Sequence, residues 1–341
     1  MGTTNAVKKL TILEAVKNEA SEIDKKNKSV FILKSGNQWL KDASEKPQPK
    51  PLYLCLWYES EVCILFADTN LGKSILAVMI AAEIAESQKV IYFDFELSDK
   101  QFEKRYSNDF KNHFKFPDNF FRAEIDPDEA DYQEAGFKSL EDYINNSIEQ
   151  AIIGTGAKVL IIDNLTYLSS ETEKAKEALP LMKHLKALKN KYNLSILVLA
   201  HTPKRNLSQP ITRNDLQGSK MLINFCDSAF AIGESAKDKS LRYVKQIKSR
   251  DSEIVYDTEN VAIFEITKQD NFLAFTPVHG VHTADEREHL QQHTKEDKEN
   301  NILRVNELFK KGLSQRDISK ELCIGLGTVN KYINRSCSPM E

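Results

Sequence analysis

The residues best suited to chemistry stand together in one short stretch, in the order Ala67-Asp68-Thr69-Asn70-Leu71-Gly72-Lys73-Ser74. An apolar run from Val62 to Phe66 precedes them and predicts a buried strand, and a helical pattern from Ile75 to Ala85 follows. Strand, loop and helix in this order are the setting of a phosphate-binding loop, whose backbone N–H groups converge on phosphates. We therefore predict that these eight residues form an ATP site in which Lys73 binds the β- and γ-phosphates and Ser74 holds Mg2+. The flanking elements favour this interpretation over a chance Gly-Lys-Ser.

Ala67 stands where the phosphate-loop pattern G-x-x-x-x-G-K-S/T has its first glycine. Alanine is the smallest residue with a Cβ, so it strains the turn only if φ must be positive at that position.

Two strand-end carboxylates suit the same chemistry. The run from Val159 to Ile162 is apolar and ends in Asp163, which places this carboxylate where it can hold Mg2+ beside Ser74. The alternative is an ordinary Asp that caps a helix. Glu96 ends a second strand, and a carboxylate there can deprotonate the attacking water as a general base. Two alternatives stay open: Glu96 is only an exposed strand-end residue, or Asp94 is the base.

A histidine and a basic loop follow another predicted strand. His201 comes directly after the run from Leu194 to Ala200 and could sense the γ-phosphate, the alternative being a structural histidine. The loop that follows, residues 202–220, contains one acid and four bases, which are Lys204, Arg205, Arg213 and Lys220. Its length and positive charge favour binding to a nucleic-acid backbone, although a loop that is merely exposed to solvent would have a similar composition.

Lys248-Ser249-Arg250 follows a predicted edge strand, from which it cannot easily reach the nucleotide of its own chain. In a ring of subunits, Lys248 and Arg250 could instead reach the γ-phosphate of a neighbour as an arginine finger. Ordinary surface bases are the alternative.

The elements that must position these residues alternate between strands and helices over residues 51–280, and they predict an α/β fold with a mostly parallel sheet. Predicted strands are Leu52–Trp57, Val62–Phe66, Val90–Phe95, Val159–Asp163 and Leu194–Ala200, with later edge strands at Leu241–Ile247, Val261–Ile266 and Phe272–Phe275. Predicted helices are Lys73–Glu86, Asp99–Phe110, Leu140–Ile153 and Lys174–Tyr192.

Other segments flank this domain. We predict that residues 1–50 form a helical arm with a proline-rich linker at its end, and that residues 281–300, which are highly charged, form a linker or a solvated helix. Four histidines lie in or beside that charged segment, and exposed linker positions are favoured for them over metal binding; they are His279, His282, His289 and His293.

Residues 301–341 predict a small all-α unit with helices Ile302–Lys311, Ser314–Leu322 and Leu326–Asn334, the layout of a helix-turn-helix. Its predicted core is Leu308, Leu313, Ile318, Leu322, Ile324, Val329 and Ile333, and its predicted groove-facing residues are Leu326, Thr328, Asn330 and Lys331. Seven bases against three acids give residues 301–336 a net charge of +4, which favours duplex DNA. A helical protein-docking module is the alternative.

The whole chain has 341 residues and a net charge of −3, a balance that does not itself indicate a partner. Its five cysteines are scattered and never spaced as C-x-x-C, so buried free thiols are expected. No apolar run approaches the length of a membrane span, and we predict a cytoplasmic protein.

Taken together, these motifs resemble those of RecA-type ATPases, specifically the hexameric helicase branch of DnaB and plasmid RepA proteins. The resemblance covers about Leu52 to Phe275 and rests on Ala67–Ser74, Phe95-Glu96-Leu97-Ser98, Asp163, Ala200-His201-Thr202-Pro203-Lys204, Leu216-Gln217-Gly218-Ser219 and Lys248-Ser249-Arg250. It implies a RecA-like P-loop fold, ATP and Mg2+ as ligands, Glu96 as base, His201 as sensor, and Lys248 and Arg250 acting in trans. The C-terminal unit resembles the helix-turn-helix of resolvases.

Three hypotheses follow from the sequence. The leading one is an ATP-dependent DNA motor, a plasmid or mobile-element replicative helicase that forms a hexameric ring, passes single-stranded DNA through its ATPase core and holds duplex DNA with its C-terminal unit. The second is a DNA-binding regulator that ATP switches without unwinding. The third is a recombination mediator that forms filaments.

Overall fold

The computed structural model of the chain describes residues 31–126, 128, 131–164, 178–216, 219–278, 280, 282–291, 295–322 and 324–336. The chain divides into two units, Met1–Gln48 and Pro49–Glu341. In the first unit, helix α1 (Gly36–Ser44) begins after Ser35, whose hydroxyl accepts a hydrogen bond from the backbone N–H of Gln38 at 3.2 Å. No helix in the described ranges is both long and apolar enough to cross a membrane.

One sheet of ten strands organises the described part of the second unit. Its strands are β3 (Val62–Ala67), β4 (Val90–Asp94), β7 (Phe120–Ala123), β8 (Val159–Asp163), β9 (Ser195–His201), β10 (Ser228–Glu234), β11 (Leu241–Lys248), β12 (Val261–Gln269), β13 (Phe272–Pro277) and β14 (Thr283–Ala284). Their order in the sheet is β13-β12-β11-β10-β3-β9-β8-β4-β7, and the short strand β14 pairs with β12. Neighbouring strands are parallel from β10 through β3, β9, β8 and β4 to β7. They are antiparallel from β10 through β11 and β12 to β13.

Helices cover both faces of the sheet, which explains why its central strands are apolar along their whole length. They are α2 (Lys73–Ala85), α3 (Asp99–Arg105), α4 (Leu140–Thr155), α5 (Ala178–Tyr192) and α6 (Ser219–Phe225). Every residue of β3 is buried, and its side chains alternate between two hydrophobic cores, one on each face. The predicted α/β fold with a mostly parallel sheet is therefore confirmed.

Several predicted boundaries are wrong. The strand predicted over 52–57 is instead a hairpin of β1 (Pro51–Tyr53) and β2 (Trp57–Tyr58), because the chain turns at Leu54, whose φ is 46°. The helix predicted to run to Phe110 ends at Arg105, and a hairpin of β5 (Ser107–Asn108) and β6 (Asn112–His113) follows it.

Besides the short strands β5, β6 and β14, two strands were missed by the sequence analysis, β7 and β10. The β10 sequence, Ser-Ala-Phe-Ala-Ile-Gly-Glu, is rich in small residues that have weak strand preference. Its Gly233 is required by packing, because a Cβ there would lie 2.0 Å from the Tyr243 ring on β11.

The prediction that residues 281–300 form a linker is wrong for the part that contains β14. This strand pairs with β12, and the following 3-10 helix (Glu286–His289) packs into the second unit. Glu286 is fully buried and forms an ion pair of 2.5 Å with Lys245, and His289 is 4% exposed. The interpretation of His289 as an exposed linker histidine is therefore wrong, whereas His282 is exposed and His279 and His293 lie outside the described residues.

The C-terminal residues form three helices around a small apolar core of their own. They are α7 (Lys295–Lys310), α8 (Gln315–Glu321), whose N-cap Ser314 accepts from the Asp317 N–H, and α9 (Leu326–Ser336). Every residue that the sequence analysis assigned to this core belongs to it. The structure adds Ile302, Val305 and Tyr332.

Candidate active site

The phosphate loop joins β3 to α2 at the carboxyl edge of the sheet. Ala67 is the last residue of β3, pairs with His201 of β9 and does not have a positive φ, so an alanine replaces the first glycine of the pattern without strain. Asn70 and Gly72 carry the positive φ values instead, 63° and 92°. A Cβ at Gly72 would also lie 2.8 Å from Ile266 and 2.9 Å from Phe275, because the β12–β13 hairpin covers this turn.

The Lys73 side chain lies inside this loop. It is only 7% exposed, and its Nζ donates to the backbone carbonyls of Ala67 and Asp68, at 3.0 Å each. The same Nζ is 3.4 Å from His201 Nδ1. Burial lowers the pKa of Lys73, while the carboxylates of Asp163 and Glu96 act in the opposite direction.

Asp163 and Ser74 meet where the sequence predicted a Mg2+ site. Asp163 ends β8 and is fully buried, and its carboxylate accepts hydrogen bonds from the Ser74 hydroxyl and, at 2.6 Å, from the Tyr92 hydroxyl. Burial raises the pKa of Asp163 to about 6, and these two hydrogen bonds act against the increase. Its Oδ1 atom is buried and accepts no hydrogen bond from the described residues.

These features fit a bound cation, because an unsatisfied carboxylate oxygen beside a hydroxyl is an arrangement that hard divalent ions prefer. Within the described ranges, no group of three or more His, Cys, Asp or Glu side chains forms a metal cluster. Mg2+ does not require one, since it keeps several waters and takes the remaining ligands from substrate phosphates. Ser74 and Asp163 are the residues that would hold it.

Glu96, His201 and Asn164 form a connected polar group at the same edge. The Glu96 carboxylate accepts a hydrogen bond from the Asn164 amide and lies 3.3 Å from His201 Nε2. Asn164 Nδ2 is also 3.1 Å from His201 Nε2. The hydrogen bond from His201 is the largest cause of the lowered pKa of Glu96, and partial burial opposes it. Glu96 is therefore held as a carboxylate close to Lys73, as a general base requires.

Asp94 has a structural position that does not suit the alternative role of base. Its Oδ1 accepts the backbone N–H groups of Glu96 and Leu97, at 3.2 and 2.9 Å, and its Oδ2 pairs with Arg122 Nε at 2.9 Å. Both oxygens are thus occupied, and the side chain is fully buried. These contacts shape the turn that presents Glu96.

Lys248 and Arg250 lie at the opposite edge of the sheet from the phosphate loop. Lys248 pairs with Ala229, which in turn lies opposite Ile64 near the beginning of β3. The Lys248 ammonium donates to two backbone carbonyls at the end of α6, and Arg250 forms an ion pair with Asp227 at 2.9 Å. The structure therefore does not bring these two residues to the nucleotide site of the same chain.

The basic loop begins directly after His201. Lys204 and Arg213 are exposed, and Arg213 begins a short 3-10 turn (Arg213–Asp215). Arg205 is half-buried and donates to the Gln209 carbonyl at 2.8 Å, so it stabilises the loop itself. Lys220 lies on α6 and its side chain is outside the described residues, as are Gln217 and Gly218.

Three of the four residues predicted to face DNA from the C-terminal unit are exposed on α9: Leu326, Asn330 and Lys331. Thr328 is half-buried, with its hydroxyl near Gly325. Cys323 lies outside the described residues.

Sequence reasoning missed Asn164 and Tyr92. Asn164 follows Asp163 directly, so a polar residue at the end of a strand next to a carboxylate was the available signal. Tyr92 carried no such signal, because an aromatic residue inside an apolar strand predicts only core packing.

Two comparisons with known proteins found similarities. The sequence profile of a family described as an AAA domain matches residues 32–206, about half of the chain. Among solved structures, a KaiC-like protein, PH0186, from the hyperthermophilic archaeon Pyrococcus horikoshii OT3 matches with 13% sequence identity and a TM-score of 0.43, over 65% of this chain and 91% of that one. No curated protein matches significantly. With a phosphate loop in place and the family matched over that range, the chain belongs to the AAA domain family of P-loop ATPases.

Proposed function

We propose that this ATPase is a Mg2+-dependent motor of RecA type that acts on DNA, and specifically a plasmid or mobile-element replicative helicase of the RepA and DnaB-like branch. The observation that carries the proposal is the convergence of Lys73, Asp163, Glu96 and His201 at the carboxyl edge of four adjacent parallel strands. Lys73, Asp163 and Glu96 are of the residue types that bind the phosphates, hold Mg2+ and orient the attacking water in P-loop enzymes.

Each residue has a defined task in this proposal. Lys73 would exchange its two backbone carbonyl contacts for phosphate oxygens. Ser74 and Asp163 are the residues that would hold Mg2+, which would neutralise phosphate charge. Glu96 takes a proton from the attacking water. Because His201 lies between the ammonium of Lys73 and the carboxylate of Glu96, it can register whether the γ-phosphate is present and pass this information to the loop that it precedes.

Hydrolysis between subunits is part of the proposal. Lys248 and Arg250 lie at the sheet edge opposite their own nucleotide site, and Arg250 remains about half exposed although it pairs with Asp227. A neighbouring copy that presents its phosphate loop to this edge would receive both cations. We propose a homo-hexameric ring for this arrangement, since a head-to-tail contact that closes gives a ring.

Two surfaces support DNA as the partner. The loop after His201 exposes Lys204 and Arg213 close to the sensor, where a single strand could be gripped through its backbone. The C-terminal unit presents Asn330 and Lys331 on an exposed helix face and carries the positive charge that duplex binding requires.

The decisive experiment measures ATP hydrolysis and strand displacement on the same preparation. Wild type should hydrolyse ATP with Mg2+, faster with DNA, and should unwind a forked duplex, whereas Lys73→Ala should do neither. DNA-stimulated hydrolysis without unwinding would favour the regulator that ATP switches, and filaments on single strands would favour the mediator. Turnover retained by Lys73→Ala would place the nucleotide site elsewhere and refute the proposal.

A further inference from the structure

The basic loop, which follows His201, begins in contact with the phosphate loop. The Thr202 backbone N–H donates to the Ala67 carbonyl at 3.1 Å, and the Lys73 ammonium donates to the same carbonyl at 3.0 Å. Coupling between distant sites is carried by packed side chains and hydrogen-bond networks. The start of the loop is therefore placed to affect the group that would bind phosphate, provided that the rest of the loop is held as well.

Two charged side chains hold the centre of the loop at Ile211, which is buried. The Ile211 backbone N–H donates to Glu286 Oε1 at 2.6 Å, and its backbone carbonyl accepts from Lys245 Nζ at 2.7 Å. Lys245 and Glu286 also pair with each other at 2.5 Å, and both are buried. One ion pair thus binds both backbone polar groups of a single loop residue. We call Lys245 and Glu286 the clamp.

The polarity of this contact is specific. Lys245 can only donate and a Glu286 carboxylate can only accept, so each side chain matches one backbone group of Ile211. The Lys245 ammonium also donates to the Thr258 hydroxyl at 2.8 Å. A buried ion pair is weak evidence for stability, because apolar residues of similar volume are often as stable in its place. The single loop conformation that the clamp selects explains the pair better.

Glu286 lies on residues 283–291, which we call the strap. This segment joins the sheet through β14, and the backbone N–H of Gln291 donates to the Leu207 carbonyl at 3.2 Å. The strap therefore anchors the basic loop at Leu207 as well as at Ile211. Helix α7 of the C-terminal unit follows the strap in the sequence.

Two exposed bases of the loop flank these anchors. Lys204 precedes Leu207, and Arg213 follows Ile211. A fixed centre limits the conformations of both bases in the absence of DNA, and preorganisation of this kind lowers the entropy cost of binding. A polyanion that contacts both cations would thus meet them in a defined arrangement.

We propose that Lys245 and Glu286 are positioning residues for single-stranded DNA. They hold the basic loop in the conformation in which Lys204 and Arg213 contact the DNA backbone, so that binding stimulates hydrolysis. This inference rests on the proposed function, because it assumes that the loop binds DNA. It deepens that function by making the strap, whose composition predicted a linker, a functional part of the ATPase.

Two double variants separate the hydrogen bonds of the clamp from its charge. The Met variant, Lys245→Met with Glu286→Met, removes both contacts to Ile211 and keeps an apolar group of similar volume at each position. The Gln variant, Lys245→Gln with Glu286→Gln, keeps a donor and an acceptor in place. Both variants lose one positive and one negative charge. Glu288→Gln is the matched control, because Glu288 lies on the same strap and pairs with Lys237 at 2.6 Å, where both side chains are about half exposed.

The assay is steady-state ATP hydrolysis by the full chain, titrated with single-stranded oligo(dT). The Met variant should keep the wild-type basal kcat and KM for ATP. It should need about 5- to 150-fold more DNA for half-maximal stimulation, which is the range expected for two lost hydrogen bonds. The Gln variant should lie closer to wild type, and Glu288→Gln should equal it. A Met variant that is stimulated like wild type, or equal losses in the Met and Gln variants, would overturn the proposal.

Hydrogen exchange of the wild-type chain covers the case in which the Met variant fails to fold. Without DNA, the Ile211 amide should be protected from exchange, because its N–H donates to a buried carboxylate. Exchange of this amide at the rate of an unfolded peptide would overturn the proposal. A wild-type chain that hydrolyses ATP without any response to DNA would refute the proposed function itself, so the wild-type titration distinguishes the two failures.

Discussion

Replacing Asp163 with Asn should abolish Mg2+-dependent hydrolysis. In the absence of Mg2+, the Asn variant should be more stable than wild type, and the difference in unfolding free energy should grow as the pH rises. The reason is the environment of this carboxylate, which is fully buried and has an Oδ1 atom that no described group satisfies. A charge in that position is tolerable when a cation is bound and costly when it is not. The substitution therefore separates the contribution of Asp163 to Mg2+-dependent hydrolysis from the free energy that burial of its charge costs the fold.

The magnitude follows from the pKa of Asp163, which is about 6 instead of the ordinary 3.8. Between these two values the folded state binds more protons than the unfolded state, so wild-type stability falls as the pH rises through this window. The full difference corresponds to about 3 kcal/mol at neutral pH. Between pH 4.5 and pH 8, the advantage of the Asn variant should grow by about 2 kcal/mol. A poorly paired Asn amide would subtract about 1–3 kcal/mol, but by the same amount at every pH.

The assay is denaturant unfolding of both proteins with a chelator, at several pH values between 4.5 and 8. The difference in unfolding free energy between them isolates Asp163, since every other group titrates in both. Asp118→Asn, at an exposed position, is the control and should not reproduce the slope. Added Mg2+ at pH 8 should stabilise wild type only. If the difference in unfolding free energy between the two proteins stays constant or shrinks as the pH rises, Asp163 is not a buried carboxylate whose charge destabilises the fold in the absence of a metal ion.

Three further predictions concern Glu96, Gly72 and Arg250. Glu96→Gln should retain ATP, measured by equilibrium binding, but stop turnover, and loss of binding would remove its role as base. Gly72→Ala should cost about 1–3 kcal/mol of unfolding free energy and weaken nucleotide binding, because its added Cβ meets two side chains as well as a strained φ. Gly156→Ala is the control, because Gly156 has a φ of 70° and open space around it. This variant should lose only the part of the unfolding free energy that is due to the positive φ, and equal losses in the two variants would contradict the packing argument. Mixing Arg250→Ala with Lys73→Ala subunits should restore part of the ATPase activity, and no recovery at any ratio would argue against a finger that acts in trans.

Local sequence was sufficient where one segment carries its own signal. The apolar strand before Ala67, the Gly-Lys-Ser that opens α2 and the carboxylate at the end of β8 were located correctly, because burial on both faces of a parallel sheet leaves a continuous apolar run with a polar end. The core of the C-terminal unit was predicted for the same reason, since helical periodicity assigns its buried positions without reference to the rest of the chain.

Contacts between distant segments could not be obtained in this way. Asn164 contacts Glu96, which lies 68 residues away in the sequence. Lys245 contacts Glu286, 41 residues away, and this contact buries part of a segment whose composition predicted a linker. Nothing in the periodicity of either partner indicates the other.

The sequence by itself determined the type of chemistry, because a phosphate loop and strand-end carboxylates are defined by residue types at fixed spacing. Only the tertiary structure decided which polar groups meet: Asn164 and His201 at Glu96, Tyr92 at Asp163, and Lys248 and Arg250 at the far edge of the sheet. The physical reason is that strand order and register, set by packing between segments far apart in the chain, determine which strand ends become neighbours.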